Sequence, residues 1–176
     1  MRDQRGFTAW FTGIPCSGKT TIADRVAEIL REKGHRVERL DGDIVRKGLT
    51  SDLGFSKEDR DENIKRVTFV AKLLTKNEVA VLATFVSPYR ERRAKTREEI
   101  GNFVEVYTRC PVEVCIERDV KGMYEKALAG EIRNFTGVDD PYEEPEDPEL
   151  ILNTDKDDIE ECAREVIVKL SELEYV

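Results

Sequence analysis

The chain has 176 residues, of which 39% are hydrophobic and 38% charged, and its formal net charge is −8. A chain of this length buries a core without disulfides or metals, so we expect a single domain over residues 1–176. The negative charge argues against general binding to nucleic acids or membrane surfaces, since both require a positive field. An anionic substrate must therefore be met by a local cluster of basic side chains.

The composition also favours a cytoplasmic protein. Residues 1–6 lack the apolar run of a signal peptide, and no segment approaches the ~20 apolar residues of a membrane span. The four cysteines form no Cys-x-x-Cys pair, and His35 is the only histidine. Neither a structural zinc site nor a disulfide framework is expected.

Apolar runs and helical periodicity alternate along the chain. The first strand is predicted at 7–12, and the first helix from Thr20 to Lys33, with Gly34 ending it. Further strands are predicted at 37–40, 79–84, 103–107 and 150–153, and further helices at 56–76, 88–100, 112–118 and 157–173. This alternation indicates an α/β fold in three layers, with a parallel five-stranded sheet covered on both faces.

The segment at about 119–148 departs from this pattern. It is rich in Gly, Pro, Asp and Glu, and its composition is too polar for a core. Long irregular segments inside compact domains are often functional lids. We therefore predict a mobile lid here.

A glycine-rich loop joins the first strand to the first helix. Residues 13–20 read Gly-Ile-Pro-Cys-Ser-Gly-Lys-Thr, which is the P-loop pattern. Its backbone N–H groups and the helix N-terminus would bind the phosphates of ATP, Lys19 would reach the β- and γ-phosphates, and Thr20 would coordinate magnesium. The predicted ATP-binding residues are Gly13, Ile14, Pro15, Cys16, Ser17, Gly18, Lys19, Thr20 and Thr21. A chance match in a turn is the alternative, and the flanking strand and helix argue against it.

An acidic turn, Asp41-Gly42-Asp43, follows the second predicted strand. Ligands of open parallel sheets lie beyond the carboxyl ends of the strands, so these carboxylates should face the phosphates. We assign Asp43, with Thr20, to the magnesium ion, and Asp41 as the candidate base for an attacking hydroxyl. An acidic surface turn without function is the alternative.

Basic residues follow the acidic turn and could supply the positive field that the net charge lacks. Arginine binds phosphate and sulfate oxygens through two N–H groups at once. Arg60 and Asn63 are three residues apart, so they share a face of the helix predicted at 56–76 if that helix includes both. The further candidates are Arg46, Lys65, Arg66, Arg90, Arg92 and Arg93. Solvated helix faces account for several of them.

Taken in order, these patterns resemble the adenylylsulfate kinase family of P-loop kinases, from about Phe7 to the C-terminus. Besides the loop and the acidic turn, the resemblance rests on Leu53-Gly54-Phe55-Ser56, on 60–66, on 85–90, and on 119–124 and 135–142 in the predicted lid. It implies the P-loop NTPase fold and an ATP-dependent transferase. The implied reaction moves the γ-phosphate of ATP to the 3′-hydroxyl of adenylyl sulfate, giving 3′-phosphoadenylyl sulfate and ADP in sulfate assimilation.

The resemblance also implies roles for individual residues. Arg46, Arg60 and Asn63 would hold the phosphosulfate and ribose, and Phe55 and Phe135 would sandwich the adenine. Both phenylalanines have polar neighbours, so we expect them to be exposed, although core positions are the alternative. The complete implied substrate-binding set is Asp43, Arg46, Phe55, Arg60, Asn63, Val86, Ser87 and Phe135.

The catalytic set is Lys19, Asp41, Ser87 and Lys121. The family resemblance places a lid lysine near the transferring phosphate at Lys121 and a phosphoserine intermediate at Ser87. We expect direct transfer instead, because an oriented 3′-hydroxyl can attack in line without a covalent intermediate. The resemblance further implies a homodimer.

Two departures from the family pattern qualify these roles. Pro15 has no N–H, so one phosphate contact is missing from the loop, and Ile44 stands where the family usually has Asn. Two other functions remain open: a P-loop kinase with a different small nucleotide or sugar as acceptor, and a regulatory module that binds ATP without transfer.

Overall fold

The computed structural model describes residues 5–176, so residues 1–4 of the N-terminal segment lie outside the described part. Its five strands all pair in parallel, in the order β2-β3-β1-β4-β5. The strands are β1 (Phe7–Thr12), β2 (Val37–Asp41), β3 (Ala80–Thr84), β4 (Phe103–Arg109) and β5 (Leu150–Asn153). The predicted α/β fold with a parallel five-stranded sheet is confirmed.

Helices cover both faces of this sheet. They are α1 (Lys19–Glu32), α2 (Gly42–Val45), α3 (Lys57–Lys76), α4 (Arg90–Ile100), α5 (Val112–Arg118), α6 (Met123–Leu128) and α7 (Ile159–Glu172). Alternate residues of β1 point to opposite faces, as a strand requires. Phe7 and Phe11 pack in one core with α1 and α7, while Trp10 packs in a second core with α3. Two cores on one sheet make the three predicted layers.

The first residues of the helices are set by capping residues, and two of the predicted helix starts are displaced. Ser56 caps α3 as predicted, because its hydroxyl accepts the Asp59 N–H at 3.1 Å. Asp158 caps α7 in a capping box with Glu161, so this helix begins at Ile159 rather than 157. The prediction that Pro88 opens α4 is wrong: Tyr89 is still extended, and the helix begins at Arg90.

The carboxyl ends of β1, β2 and β3 meet at one edge of the sheet. Asp41 lies beside Thr84, and Thr84 lies beside Phe11, in the register of β2, β3 and β1. The loop 13–18, the acidic turn and the segment after β3 therefore leave the sheet together. This edge is where ligands of open parallel sheets bind.

The segment 119–148 is less irregular than its composition indicated. It contains α6, and Tyr124, Ala127 and Phe135 are buried in a third apolar cluster with Cys110 and Cys115. The expectation that this segment contributes no core is wrong, because its few apolar residues pack together against α5 and the P-loop. In residues 5–176 no helix is long and apolar enough to cross a membrane.

Candidate active site

The two glycines of the loop 13–18 are required for different reasons, tight packing at Gly13 and a left-handed backbone at Gly18. A Cβ at Gly13 would lie 2.4 Å from Thr108 Oγ1, and Gly18 has φ 90°. Cys16 also adopts a left-handed φ of 62°, which is uncommon for a residue with a side chain. Ser17 Oγ bonds Thr108 Oγ1 at 2.8 Å, so β4 supports the loop from below. The loop is thereby preformed for phosphate binding.

Lys19 is folded back onto the loop that it would serve. Its Nζ donates to the carbonyls of Gly13 at 2.9 Å and Ile14 at 2.7 Å. Burial disfavours the ammonium and lowers the pKa of Lys19 to about 8. A bound triphosphate would reverse this effect, because its negative charge stabilises the protonated amine.

Asp41 joins three elements at the strand edge. Its Oδ2 accepts hydrogen bonds from Thr20 on α1 at 2.8 Å and from Thr84 on β3 at 2.7 Å. Its Oδ1 accepts the Asp43 N–H and thereby caps α2. Burial alone would raise the pKa of Asp41, but the two hydroxyls and the N–H outweigh it and lower the pKa. Such a carboxylate is a weak base and a strong hydrogen-bond acceptor.

Asp43 and Lys121 form an ion pair between the acidic turn and the predicted lid. Both side chains are exposed, and the hydrogen bond to Asp43 raises the pKa of Lys121. The structure thus brings the Thr20 hydroxyl to Asp41, while the carboxylate of Asp43, which the sequence assigned to the metal, contacts Lys121.

Arg60 gathers residues that are far apart in sequence. Its Nε donates to the carbonyl of Phe55 at 3.0 Å. Its Nη atoms donate to the Asn134 carbonyl, to Thr136 Oγ1 at 2.7 Å and to Asp140 Oδ2 at 3.0 Å. One guanidinium therefore joins the segment before α3 to the lid residues on both sides of Phe135.

Arg46 contacts the same turn as Arg60, whereas Asn63 bonds to Thr50. The guanidinium of Arg46 lies 4.3 Å from the centre of the Phe55 ring, a cation–π contact, and donates to the Gly54 carbonyl. Asn63 is buried, and its Oδ1 accepts the Thr50 hydroxyl at 2.7 Å.

The two predicted adenine-stacking phenylalanines differ in exposure. Phe55 is 60% exposed, as expected, although the guanidinium of Arg46 covers one face of its ring. Phe135 is only 9% exposed and packs edge-to-face on Tyr124, with ring centres 4.9 Å apart. The expected exposure of Phe135 is wrong, because its ring packs in an apolar cluster with Tyr124, and its polar neighbour Thr136 is buried as well.

Ser87 is held in a buried hydrogen-bond chain. Its hydroxyl accepts Trp10 Nε1 at 2.9 Å and lies 3.3 Å from Thr12 Oγ1, and Thr12 donates to the Val86 carbonyl. Ser87 is 3% exposed and has a left-handed φ of 39°. A nucleophile needs an open approach and a base to take its proton, and this hydroxyl is instead used as a structural acceptor.

The arginines that follow Ser87 have other roles than anion binding. Arg92 pairs with Glu99, Arg93 with Glu105, and Arg90 with Glu146. The expectation that they contribute positive field to the site is not supported, since acidic partners neutralise them. Arg66 likewise pairs with Asp52 and Glu62, and Lys65 with Glu62.

Other site residues had no signal in the sequence. Thr84 ends a strand and orients Asp41, and Tyr124 donates to the carbonyl of Pro15 at 2.9 Å. Arg118 donates to the carbonyls of Cys16 and Thr154. Only the position of Thr84 at a carboxyl strand end could have marked it beforehand.

The oxygen donors at this edge fit magnesium. Mg²⁺ binds one or two protein oxygens and takes its other ligands from phosphates and water. The exposed Thr20 hydroxyl beside the Asp41 carboxylate supplies such oxygens. Among residues 5–176 no group of three or more His, Cys, Asp or Glu residues could hold a metal by itself. The arrangement therefore suits a metal that arrives with a nucleotide.

These features define a P-loop kinase: a preformed glycine loop, a lysine and a threonine at the start of α1, and a carboxylate at the end of β2. A family model for adenylylsulphate kinase matches residues 5–153. The chain is 60% identical over 176 residues to an adenylyl-sulfate kinase of Halothermothrix orenii, covering 100% of this chain and 95% of that protein. The chain belongs to the adenylylsulphate kinase family, and is accordingly a transferase that uses ATP.

Solved structures agree with this placement. The APS kinase of Mycobacterium tuberculosis in complex with AMPPNP and APS matches with a TM-score of 0.91 and 46% identity, over 95% of this chain and 98% of that chain. A hexameric APS kinase from Thiobacillus denitrificans matches with a TM-score of 0.76 and 36% identity, over 99% of this chain but 30% of that chain.

Lys19 should take up a proton when ATP binds. With a pKa of about 8 in the free protein, it should gain about half a proton at pH 8, where the bound phosphates keep it charged. Calorimetry in buffers of different ionisation enthalpy measures this uptake. Lys19→Arg is the control, since arginine stays protonated. Equal proton uptake in the two proteins would contradict the assignment.

Replacing Ser87 by Ala should leave turnover within about tenfold of the parent, because direct transfer needs no covalent serine. The variant should still lose about 1–3 kcal/mol of stability, because Trp10 Nε1 loses its acceptor. Ser87→Gly removes the same hydroxyl but tolerates the left-handed φ, so it should be the more stable of the two. Thermal unfolding and ADP-release rates distinguish them, and complete inactivity with intact substrate binding would refute direct transfer.

Proposed function

We propose that this chain transfers the γ-phosphate of ATP to the 3′-hydroxyl of adenylyl sulfate in the cleft between the P-loop, the acidic turn and the residues that Arg60 gathers. The observation that carries the proposal is Arg60 itself. It joins Phe55 to the residues flanking Phe135, across 74 to 80 positions of sequence, and so assembles the predicted acceptor site.

The donor side is built from residues 13–20. The backbone of the loop and the N-terminus of α1 would bind the β- and γ-phosphates, and Lys19 would leave the carbonyls of Gly13 and Ile14 to contact them. Pro15 cannot donate an N–H, and its carbonyl binds Tyr124 instead. The phosphate contacts therefore come from the rest of the loop.

Thr20 would hold magnesium, with Asp41 or Asp43 in contact through water. The ion would supply positive charge that stabilises the charge developing on the phosphate oxygens. Asp41 would orient the Thr20 hydroxyl, since it accepts that proton already. With its low pKa, Asp41 acts mainly as an orienting anion, and a loose transition state requires little basic help.

The acceptor side would use Arg46 and Arg60 for the phosphosulfate. Both guanidinium groups contact the turn at 53–56, where Arg46 covers one face of the Phe55 ring and the other face would stack on the adenine. Stacking holds a flat base without reading its edge, so edge contacts must set base identity. Phe135 would stack on the other side of the adenine only if the lid around it rearranges, because its ring is now buried against Tyr124.

Lid closure would complete the site. Lys121 now pairs with Asp43, and transfer of this cation to the γ-phosphate would exchange one anionic partner for another. A lid that closes over both substrates excludes water and limits wasteful hydrolysis of ATP. The proposed lid comprises about residues 119–148, and it belongs to the single domain proposed for residues 1–176.

The proposal is tested by ADP release that depends on adenylyl sulfate. Phe55→Ala should raise the KM for adenylyl sulfate by about tenfold, since stacking on one aromatic ring contributes about 1–3 kcal/mol. Phe69→Ala is the matched control, because Phe69 is 62% exposed on α3 and has no assigned role. ADP release without adenylyl sulfate, or with another nucleotide or sugar instead, would favour a different acceptor, and ATP binding without any transfer would favour a regulatory module.

Two further points follow from the family resemblance. We propose a homodimer, which sedimentation of the purified chain would measure, and a cytoplasmic location. Both remain proposals that rest on the resemblance and on composition.

A further inference from the structure

Arg93 contacts three separate parts of the chain and has no role in the reaction proposed above. It lies on α4, and its side chain is 3% exposed. Its Nε donates to Glu105 Oε1 on β4 at 2.8 Å, Nη1 to the Ser87 carbonyl at 2.6 Å, and Nη2 to the Glu143 carbonyl at 2.6 Å. The guanidinium thus makes one charge-neutralising contact and two contacts with backbone outside its own helix.

The two backbone contacts belong to different parts of the site. Ser87 lies in the loop 85–88, next to Val86 on the acceptor side. Glu143 lies in residues 140–144, which we call the lid root, where the proposed lid returns toward the sheet. The lid root also reaches the sheet edge through Tyr142, whose hydroxyl bonds Thr12 Oγ1 at 2.8 Å and whose ring centre lies 5.6 Å from the Arg93 guanidinium.

Physical cost argues that these contacts matter. A buried guanidinium is unfavourable unless every side of it is paired, and here Glu105 and two carbonyls pair it. The Ser87 backbone is also strained at φ 39°, and such a conformation persists only where its surroundings hold it. Arg93 binds the carbonyl of that same residue.

We propose that Arg93 is a positioning residue for the acceptor: it holds the loop 85–88 and the lid root in fixed register, so that the acceptor side is formed before adenylyl sulfate binds. The lid root includes Asp140, which pairs with Arg60, so by holding the lid root Arg93 also fixes an ion-pair partner of Arg60. The P-loop and Thr20 bond to Thr108, Tyr124 and Asp41, whereas the guanidinium of Arg93 bonds to Glu105 and to the carbonyls of Ser87 and Glu143. This inference deepens the proposed function and rests on it for the identity of the acceptor.

Arg97 provides a matched control on the same helix. It also pairs with Glu105, at 3.2 Å, and its second partner is Glu149. Replacing either arginine removes one ion pair of Glu105 and leaves the other. Only the Arg93 variant loses the bonds to the loop 85–88 and the lid root.

The test compares Arg93→Met, Arg93→Lys and Arg97→Met. Arg93→Met should raise the KM for adenylyl sulfate by about tenfold and change the KM for ATP by less than about twofold, since misplaced binding groups weaken only their own ligand. Arg93→Lys should recover part of the loss, because an ammonium can reach one carbonyl. Arg97→Met should lower the melting temperature without changing either KM.

Arg93→Met with Glu105→Leu serves if the single variant does not fold, since apolar replacement of a buried ion pair is often tolerated. Equal increases in both KM values, or a lowered melting temperature alone as in Arg97→Met, would overturn the inference. The dissociation constant for adenylyl sulfate, measured by calorimetry, tests the positioning role of Arg93 independently of the proposed phosphate transfer. A parent that binds adenylyl sulfate without ADP release refutes the transfer, while a weaker constant in Arg93→Met still supports positioning.

Discussion

The carboxylate of Asp41 is the point on which the site depends. It accepts hydrogen bonds from the first turn of α1 and from the end of β3, while its own strand ends at the same place. The parallel register makes this possible, because Asp41 and Thr84 are neighbours across two strands. With three donors already aimed at it, the carboxylate has one orientation, and that orientation fixes the Thr20 hydroxyl at the start of the P-loop helix.

A second constraint acts on the other side of the P-loop. Tyr124 and Phe135 come from the proposed lid, yet they are buried with Cys110 and Cys115 beside Ile14. The tyrosine hydroxyl also donates to the Pro15 carbonyl, so apolar packing and a hydrogen bond join the loop to the proposed lid segment. A movement of the proposed lid segment would therefore act on the loop 13–18 at Pro15. This coupling gives a physical route by which nucleotide binding could affect the lid.

Most positive charge near the acceptor side is already paired. The chain carries a net charge of −8, and most arginines in this region contact acidic residues. Arg46 differs in kind, since its guanidinium lies on the Phe55 ring and on a carbonyl. An anionic acceptor would thus meet one arginine that has no acidic hydrogen-bond partner within residues 5–176 and one, Arg60, that must exchange Asp140 for it.

The sequence by itself determined the strand and helix alternation, the P-loop and the acidic turn, because each depends on residues close together in the chain. It also placed Phe55 correctly in solvent. It could not determine that Phe135 is buried, that Arg93 is internal, or that Thr84 and Thr20 share Asp41. They depend on contacts such as those of Arg93 with Glu105 and of Asp41 with Thr20 and Thr84, which join residues 12 to 43 positions apart. Only the tertiary structure decided them, because a side chain's partners across such distances follow from packing and register rather than from its neighbours in sequence.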